Sequence, residues 1–462
     1  MGEHQRRRRR RRCGSGEDRI SGLPDALLHE ILVRLRSADA AARTSVLSRR
    51  WRHVWAHLPE LSLVAPRAAA PASFIDTVDA GLGGYLAPTL DHLGVSHRTD
   101  QQGRDLRIPA GRIAPWLHFA AEHVVGELNL FLQVPQTYSV SLPEVVGEEA
   151  ALELPVCERA KRIELFLQYA CTHWLRPQAS GLFRALTFLK INGYVHMNGS
   201  DLTAFVSTQC PCLRDLDLSI KLIVIFDVFI HSNSLPTLVL RVVETRRLEV
   251  LAPKLEEITV IIQPIEAHIS APKLVKVAWY RDYDPHLHRF VDVGCTLRLL
   301  ETSYGALFLT KRFDEVDELD LSIFIPQGVE GYGSFLNETN KLPKCKSFRI
   351  DLTWDHHALV PSMSHLLKRC NGTKKISIKM FESHKIDSST LSSLEEVEIS
   401  DFTDSLEDME LVEFLSSNAV ILKRLVINYM MFPDHPITKE VKRYYCPNKI
   451  SLSAVMGHSL FP

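Results

Sequence analysis

Most of the chain repeats one short pattern of apolar and polar positions. An apolar residue is followed by two spacers, a second apolar residue, one spacer and a third apolar residue. The middle apolar positions of most consecutive copies stand about 19 to 30 residues apart, which is the interval of leucine-rich repeats. The full copies are Leu213-Leu216-Leu218, Leu235-Leu238-Leu240, Leu255-Ile258-Val260, Leu274-Val277-Trp279, Val316-Leu319-Leu321, Cys345-Phe348-Ile350, Leu394-Val397-Ile399 and Leu422-Leu425-Ile427, and shorter forms occur at Leu128-Leu130, Ile163-Leu165 and Ile376-Ile378.

Each copy predicts a short β-strand, because alternate residues of a strand point to the same face. One strand cannot cover its apolar face alone, so stacking of neighbouring repeats should supply the core. The connections should be helical or irregular, as over residues 201–209 and 362–369. One internal pair is nearly explicit, since LEVLAPKLEEITV (248–260) matches AHISAPKLVKVAW (267–279). For such short phrases an ordinary mixed α/β domain is the alternative.

The N-terminal part of the chain has a helical period instead. Pro24 suits the first helical position, Asp25 suits the positive end of the helix dipole, and Ser37 is a candidate N-cap for a short alanine-rich connecting helix. A unit of about 45 residues is near the limit for independent folding. It is either a docking surface for a partner groove or a three-helix subdomain packed on its own chain. Its two apolar stripes consist of Leu27, Leu28, Ile31, Leu32 and Leu35, and of Leu47, Trp51, Val54, Trp55 and Leu58.

Residues 18–63 closely resemble the F-box in its plant form. The connector L-P-T-K-D-A-V of that family is replaced by residues 35–41, which lack the proline. The matching residues are Leu23-Pro24, Leu27-Leu28, Ile31-Leu32, Leu35, the run RTSVLSRRWR at 43–52, Val54-Trp55 and Leu58-Pro59. The resemblance implies docking onto a Skp-type adaptor of a cullin–RING ubiquitin ligase. It implies an adaptor-binding face that is formed or supported by Leu23, Pro24, Leu27, Leu28, Ile31, Leu47, Ser48, Trp51 and Trp55.

The repeats resemble grass F-box/leucine-rich-repeat proteins, through CPCLRDLDLS (210–219), RRLEVLAPKLEEITV (246–260) and ISAPKLVKVAW (269–279). Residues 394–429 resemble the FBD segment of plant F-box proteins. There a helix between two strands is predicted from Met409, Leu411, Val412, Phe414 and Leu415.

The predicted fold class is α/β, with an N-terminal three-helix F-box followed by an irregular leucine-rich-repeat solenoid. The irregularity is expected because the asparagine that normally ladders the turns is mostly missing. The predicted divisions are a disordered Arg-rich tail (1–17), the F-box (18–63), a linker with a short helix (64–89), leucine-rich repeats (90–393), FBD-like last repeats (394–432) and a C-terminal tail (433–462).

The composition narrows the class of protein and of partner, but it does not indicate a function. The chain has 462 residues, 45% of them hydrophobic and 24% charged, with a formal net charge of −1. Near-neutral charge gives no global reason to expect nucleic acid or a membrane as the main partner. The nine cysteines are odd in number and include no C-x-x-C pair, which favours reduced thiols in the nucleus or cytoplasm. The N-terminus is arginine-rich where a signal peptide would be apolar, and the longest apolar run, 220–230, is too short for a membrane span.

Seven consecutive arginines, Arg6–Arg12, form the other unusual feature. They predict a disordered tail that serves nuclear import or loose contact with polyanions, or a solvated leader without function. The tail supports an alternative function, that of a non-catalytic nuclear interaction scaffold.

The sequence contains only incomplete versions of known catalytic and metal-binding motifs. His29 and Glu30 begin like a zinc-protease helix, but Val33 stands where the second histidine is required. Two further groups, His286 with His288 and His356 with His357 and His365, lack a third ligand at a recognisable spacing. Neither a P-loop nor a G-x-S-x-G motif occurs. We therefore expect no catalysis, no cofactor and no metal.

The single spacers of the repeats should line the open face of the sheet. They are Asp217, Val239, Thr259, Ala278, Asp320, Arg349, Ser377, Glu398 and Val426, with no aromatic cluster and no stripe of one charge. Only Arg349 is basic, which argues against a groove for nucleic acid or inositol phosphate. The expected partner is a protein, with Asp217, Thr259, Asp320, Arg349 and Glu398 as target-facing residues. These patterns predict the substrate-receptor subunit of a Skp–cullin–F-box ubiquitin ligase.

Overall fold

The fold is a long parallel sheet with helices and a second, shorter row of strands on its other side. The computed structural model describes residues 23–35, 44, 51–64, 71–98, 108–133, 151–167, 174–262, 264–325, 328–354, 359–369, 372–381, 394–402, 409, 411, 412, 415, 421–429 and 451–456. None of the helices in those ranges combines the length and the apolar composition needed to cross a bilayer.

Seven α-helices and twenty strands lie within the described residues. The helices are α1 (Asp25–Val33), α2 (Trp51–Val54), α3 (Pro71–Gly83), α4 (Ala110–His123), α5 (Gly199–Ala204), α6 (Gly328–Glu338) and α7 (Leu359–Arg369). The strands are β1 (Glu60–Val64), β2 (Leu90–Arg98), β3 (Val124–Gln133), β4 (Leu152–Leu154), β5 (Arg162–Leu167), β6 (Leu175–Pro177), β7 (Phe188–Met197), β8 (Asp215–His231), β9 (Thr237–Leu251), β10 (Glu257–Val260), β11 (Glu266–Ser270), β12 (Lys276–Trp279), β13 (His288–Val291), β14 (Thr296–Ser303), β15 (Glu315–Ile325), β16 (Lys344–Trp354), β17 (Lys375–Phe381), β18 (Glu396–Phe402), β19 (Arg424–Tyr429) and β20 (Ser451–Met456).

The main sheet follows chain order, and all its pairings are parallel. It runs β1-β2-β3-β5-β7-β8-β9-β10-β12-β14-β15-β16-β17-β18-β19-β20. Each repeat therefore pairs with the repeats before and after it, as a stacked array requires. The apolar positions of the phrase form one continuous core from Leu61 to Ile427. The mixed α/β class is confirmed, and the repeats stack as predicted.

The connections differ between the ends and the middle of the array. The predicted helical returns are confirmed at α5 with its following turn, and at α7. In the middle, strands replace helices: β9 turns at Glu244, where φ is +66°, and then pairs with β11, which pairs with β13. The explicit internal repeat lies here, with Leu248 opposite Ala267 and Ile258 opposite Val277. Buried and exposed residues alternate in both halves of β9 and in β11, which is the period of a β-strand. These returns are therefore strands rather than helices.

The predicted linker differs from the structure. Strand β1 lies inside the predicted F-box and already pairs with β2, because Leu61 and Leu63 bury one face of it. The predicted short helix is confirmed as α3, which buries Phe74 and Val78 in the core. Helix α3 is also held to α4, where Asp79 accepts hydrogen bonds from Arg112 (2.6 Å) and the Trp116 indole (2.7 Å). The stretch from 71 onward is therefore the first repeat of the array rather than a spacer.

The end of the helical unit joins the array through close contacts. The Leu86 amide donates to the Ala56 carbonyl (2.8 Å), and the Tyr85 hydroxyl lies 2.9 Å from the Leu58 carbonyl. Burial raises the pKa of the Tyr85 hydroxyl to about 12. A Cβ at Gly84 would stand 2.6 Å from a ring carbon of Trp55, so glycine is needed for that ring to pack. The helical unit therefore packs directly against the first repeats.

The C-terminal third follows the prediction in part. Strands β18 and β19 flank a helical segment in which Leu411, Val412 and Leu415 are buried. Phe414 lies outside the described residues, as do residues 1–17. The predicted C-terminal tail is corrected at β20, which continues the sheet by pairing with β19 over six residues.

Stability of the array should depend on pH through buried histidines. The Nδ1 of His288 accepts from the Asp284 amide (3.0 Å), so its protonated Nε2 donates to the Pro264 carbonyl (3.1 Å). Burial lowers the pKa of His288 below 6.5, and burial does the same to His196 and His365. Below about pH 6.5 the unfolded chain binds protons that the folded chain does not, so the free energy of unfolding should fall as pH falls.

The slope for one such histidine should approach about 1.4 kcal/mol per pH unit. Urea denaturation at pH 7.5 and pH 5.5 measures it, and His288→Gln should reduce the difference between the two pH values. The exposed neighbour His286 provides the control, because His286→Gln should leave the difference unchanged. An identical pH dependence in His288→Gln and the natural chain would contradict this assignment.

Candidate functional site

Helix α1 presents apolar side chains on two sides. It begins at Asp25, where the amides of Leu27 and Leu28 donate to the Pro24 carbonyl (3.0 and 3.1 Å). Pro24 therefore caps the helix rather than occupying its first position. On one side Leu28 and Leu32 form a small core with α2 and the residues after it, namely Trp51, Val54 and Leu58. His29 Nε2 stands 3.2 Å from the Val54 carbonyl at the edge of that core.

The other side of α1 is open. Leu27, Ile31 and Leu35 are 43%, 40% and 45% exposed, and they follow one another at four-residue intervals along one face. We call these three side chains the α1 stripe. A row of large aliphatic side chains on a short helix is a typical helix-in-groove docking surface. Leu35 lies two residues beyond the end of α1 and was not among the nine predicted adaptor residues.

The nine predicted adaptor residues divide into three groups. Pro24, Leu27 and Ile31 are exposed, and Leu23 and Trp55 are half-buried. Leu28 and Trp51, which were predicted to form or support the adaptor face, are 0% and 3% exposed inside the small core, a position that fits support rather than contact. Leu47 and Ser48 lie outside the described residues, as does most of the predicted middle helix. The three-helix form of the unit therefore stays a prediction.

The open face of the sheet carries the predicted spacers in one register. Across the main sheet, successive strands place Ser62, Gly94, Asn129, Glu164, Lys190, Asp217, Val239, Thr259, Ala278, Glu301, Asp320, Arg349, Ser377, Glu398, Val426 and Ser453 side by side. All nine predicted positions belong to this row. The structure thus places each spacer directly beside those of the two neighbouring repeats.

Charged members of the row are held by neighbouring strands. Asp217 lies 3.2 Å from Lys190 Nζ and accepts from Arg241 at 3.1 Å. Asp320 accepts from Arg349 at 2.9 Å, and Glu398 accepts from the Asn428 amide at 3.0 Å. Of the five predicted target-facing residues, Thr259 is the uncharged one, and its side chain is half-buried. The others therefore present ion pairs and hydrogen-bonded carboxylates rather than isolated charges.

One expectation about this face is wrong, and the face also carries a feature outside the nine predicted positions. Ala278 is buried, because it lies beside Glu301 while Tyr280, two residues farther along the same strand face, donates to the Glu301 carboxylate. An aromatic pair also occurs: the Phe131 and Phe166 rings stack at 6.1 Å, one strand apart. Both follow a recognised Leu-x-Leu or Ile-x-Leu phrase by one residue, so extending the register by two positions would have found them.

Metal and catalytic chemistry have little support in this geometry. Within the described ranges, no three His, Cys, Asp or Glu side chains stand close enough to share a metal ion. His288 is occupied by two backbone groups, and His365 Nε2 lies 3.0 Å from the Thr339 hydroxyl. His356 and His357 lie outside the described residues. The α1 stripe and the open face of the sheet are therefore the two candidate sites on the described residues.

Comparison with known protein families matches two segments, one near each end of the chain. The F-box domain model matches residues 20–63, and the FBD model matches residues 389–427. F-box/LRR-repeat protein 25 of Arabidopsis thaliana is 32% identical over 218 residues, covering 44% of this chain and 72% of that protein. An Arabidopsis F-box/FBD/LRR-repeat protein is 38% identical over 212 residues, covering 43% of this chain and 42% of its own length.

A longer similarity spans most of the array. A putative F-box/LRR-repeat protein of Arabidopsis thaliana is 24% identical over 388 residues, covering 79% of this chain and 72% of the relative. Several other relatives are matched over only 25 to 38% of their own length. The chain therefore belongs to the plant F-box/leucine-rich-repeat proteins that carry an FBD segment near the C-terminus.

Proposed function

We propose that the chain is the substrate-receptor subunit of a Skp–cullin–F-box ubiquitin ligase. The α1 stripe binds a Skp-type adaptor, and through it the cullin–RING ligase. The open face of the repeats binds a protein target. This is the general role of the F-box/leucine-rich-repeat family, whose members are non-catalytic subunits. The observation that carries the proposal is the exposed α1 stripe, which lies inside the matched F-box segment.

The mechanism requires no reacting group on this chain. A receptor that holds a target beside a charged ubiquitin-conjugating enzyme raises the effective concentration of target lysines. The contacts of Tyr85, Leu86 and Gly84 with the end of the F-box support this, because they seat the F-box on the array. We place the protein in the nucleus and/or cytoplasm, where its adaptor would be found.

The proposal is tested by measuring adaptor binding of a double variant in the α1 stripe. Leu27→Asp with Ile31→Asp should weaken binding to a purified Skp-type adaptor at least about 100-fold, because each change places an unpaired carboxylate in an apolar interface. Isothermal titration of the full chain measures the affinity. Folding should be unchanged, since both side chains are exposed.

Ala26→Asp provides the matched control. Ala26 is exposed on another face of α1, so the same new charge should leave adaptor affinity within about threefold. The proposal is abandoned if the intact chain binds no adaptor, or if the folded double variant binds as well as the natural chain.

A further inference from the structure

The centre of the register row is uncharged. Val239 and Thr259 occupy the row on β9 and β10, and Ile261 extends the floor two residues beyond Thr259, while the next member of the row, Ala278, is buried. The nearest charges on β10 and β12, Glu257 and Lys276, form an ion pair at 3.5 Å two residues before the row. We call Val239, Thr259 and Ile261 the central slot. Asp217 bounds it on β8 and Glu301 bounds it on β14. Four strand intervals separate these two carboxylates, or about 19 Å at the usual spacing between strands.

The side toward the N-terminus carries an excess of positive charge. Asp217 is contacted by two cations, Lys190 at 3.2 Å and Arg241 at 3.1 Å. Lys190 and Arg241 are both partly exposed, so their remaining hydrogen-bonding capacity faces solvent at the edge of the slot. Glu164, the next member of the row beyond Lys190, is paired with Arg162 and so adds no net charge. Around Asp217, one carboxylate against two cations therefore leaves a local excess of one positive charge.

The side toward the C-terminus carries the opposite excess. Glu301 accepts from the Tyr280 hydroxyl, and Asp320 pairs with Arg349 at 2.9 Å. Two carboxylates against one guanidinium leave one net negative charge. Burial raises the pKa of Asp320, and the nearby carboxylates of Glu301 and Asp351 raise it further, which is the effect of crowded negative charge. Tyr280 covers Ala278 and so closes this end of the floor.

We propose that the central slot binds an extended segment of the target protein, with an apolar side chain between an acidic residue and a basic residue. The inference rests on the proposed receptor function. The acidic residue faces Lys190 and Arg241, and the basic residue faces Glu301 and Asp320. An extended chain advances about 3.3 Å per residue, so the two charges stand about five or six residues apart. The apolar anchor supplies affinity, while the opposite charges at the two ends set orientation and register.

The test selects peptides from a random 12-residue mRNA-display library on the full chain bound to its adaptor. Enriched peptides should carry an acidic and a basic residue five or six positions apart with an apolar residue between them. Thr259→Glu, which places a charge in the middle of the floor, should weaken their binding at least 30-fold. Ser377→Glu lies in the same register row beyond Arg349 and should change it less than threefold.

A charge exchange tests orientation. Arg241→Glu should weaken binding at least tenfold, and a peptide whose acidic residue is replaced by lysine should recover most of that loss. The proposal is overturned if no peptide is enriched, if enriched peptides lack the two charges, or if they bind Thr259→Glu and the natural chain equally. Adaptor affinity, measured on the same variants, should be unchanged in all of them. Loss of adaptor binding by the natural chain would contradict the receptor function instead.

Discussion

Replacement of Trp51 by alanine is expected to unfold the F-box locally while the repeats stay folded. Trp51 is 3% exposed and belongs to a small core that, among the described residues, has five buried members, the others being Leu28, Leu32, Val54 and Leu58. Truncation of a buried tryptophan costs about 3–5 kcal/mol, which a core of this size cannot absorb. Protection of α1 amides against hydrogen exchange should fall more than about 100-fold, and adaptor binding should be lost with it.

Comparison with the α1 stripe separates folding from docking. Leu27→Asp should abolish adaptor binding while amide protection in α1 stays within a few fold, because Leu27 is exposed. A double variant of Leu27→Asp with Trp51→Ala would confuse the two causes. Retention of both amide protection and adaptor affinity in Trp51→Ala would contradict the division of α1 into a buried and an exposed side.

Replacement of Trp279 by alanine should destabilise the repeat array by about 3–5 kcal/mol. The Trp279 side chain is fully buried at the inner face of β12, and its ring contacts those of Tyr283, His288 and Phe290 at 5.8, 5.2 and 6.1 Å. Its indole N–H also donates to the Asp282 carbonyl (3.3 Å). Because each repeat is stabilised by its neighbours, a cavity here weakens contacts with the repeats on both sides. Urea denaturation followed by circular dichroism measures the loss.

Phe308→Ala is the matched aromatic control. The Phe308 ring is 44% exposed, with the Lys311 ammonium 4.5 Å from its centroid, so its truncation should cost no more than about 1 kcal/mol. Equal losses from Trp279→Ala and Phe308→Ala would show that burial at β12 is not what stabilises the array.

The stacking of the repeats followed from local patterns. Alternation of apolar residues predicted which side of each strand is buried, and the spacing of the phrase predicted which strands are neighbours. Asp217, Thr259 and Arg349 could therefore be assigned to one face before any strand pairing was known, and the register bears this out. The same pattern predicted β18 and β19. It did not predict β20, whose residues do not repeat the phrase.

The sequence pattern could not predict which F-box residues are buried. A helical period places Leu27 and Leu28 in one apolar arc, because they are adjacent in sequence and differ by only about 100° around the helix. Packing against Trp51 covers Leu28 and leaves Leu27 open, and that difference depends on where the second helix crosses the first. From the sequence alone, Leu27, Leu28 and Trp51 were all predicted to form or support the adaptor face, without a distinction between the two roles.

By itself the sequence determined the family, the α/β class, the period of the repeats and the open-face row, since each depends on local alternation or on a motif. Tertiary structure alone decided which leucines of α1 remain exposed, that strands replace helices in the middle returns, and that Phe131 stacks on Phe166. It also decided that opposite excess charges flank the central slot, because Arg241 and Glu301 reach that slot from different strands. Local periodicity specifies the direction of a side chain, whereas its neighbours depend on the packing of segments far apart in the chain.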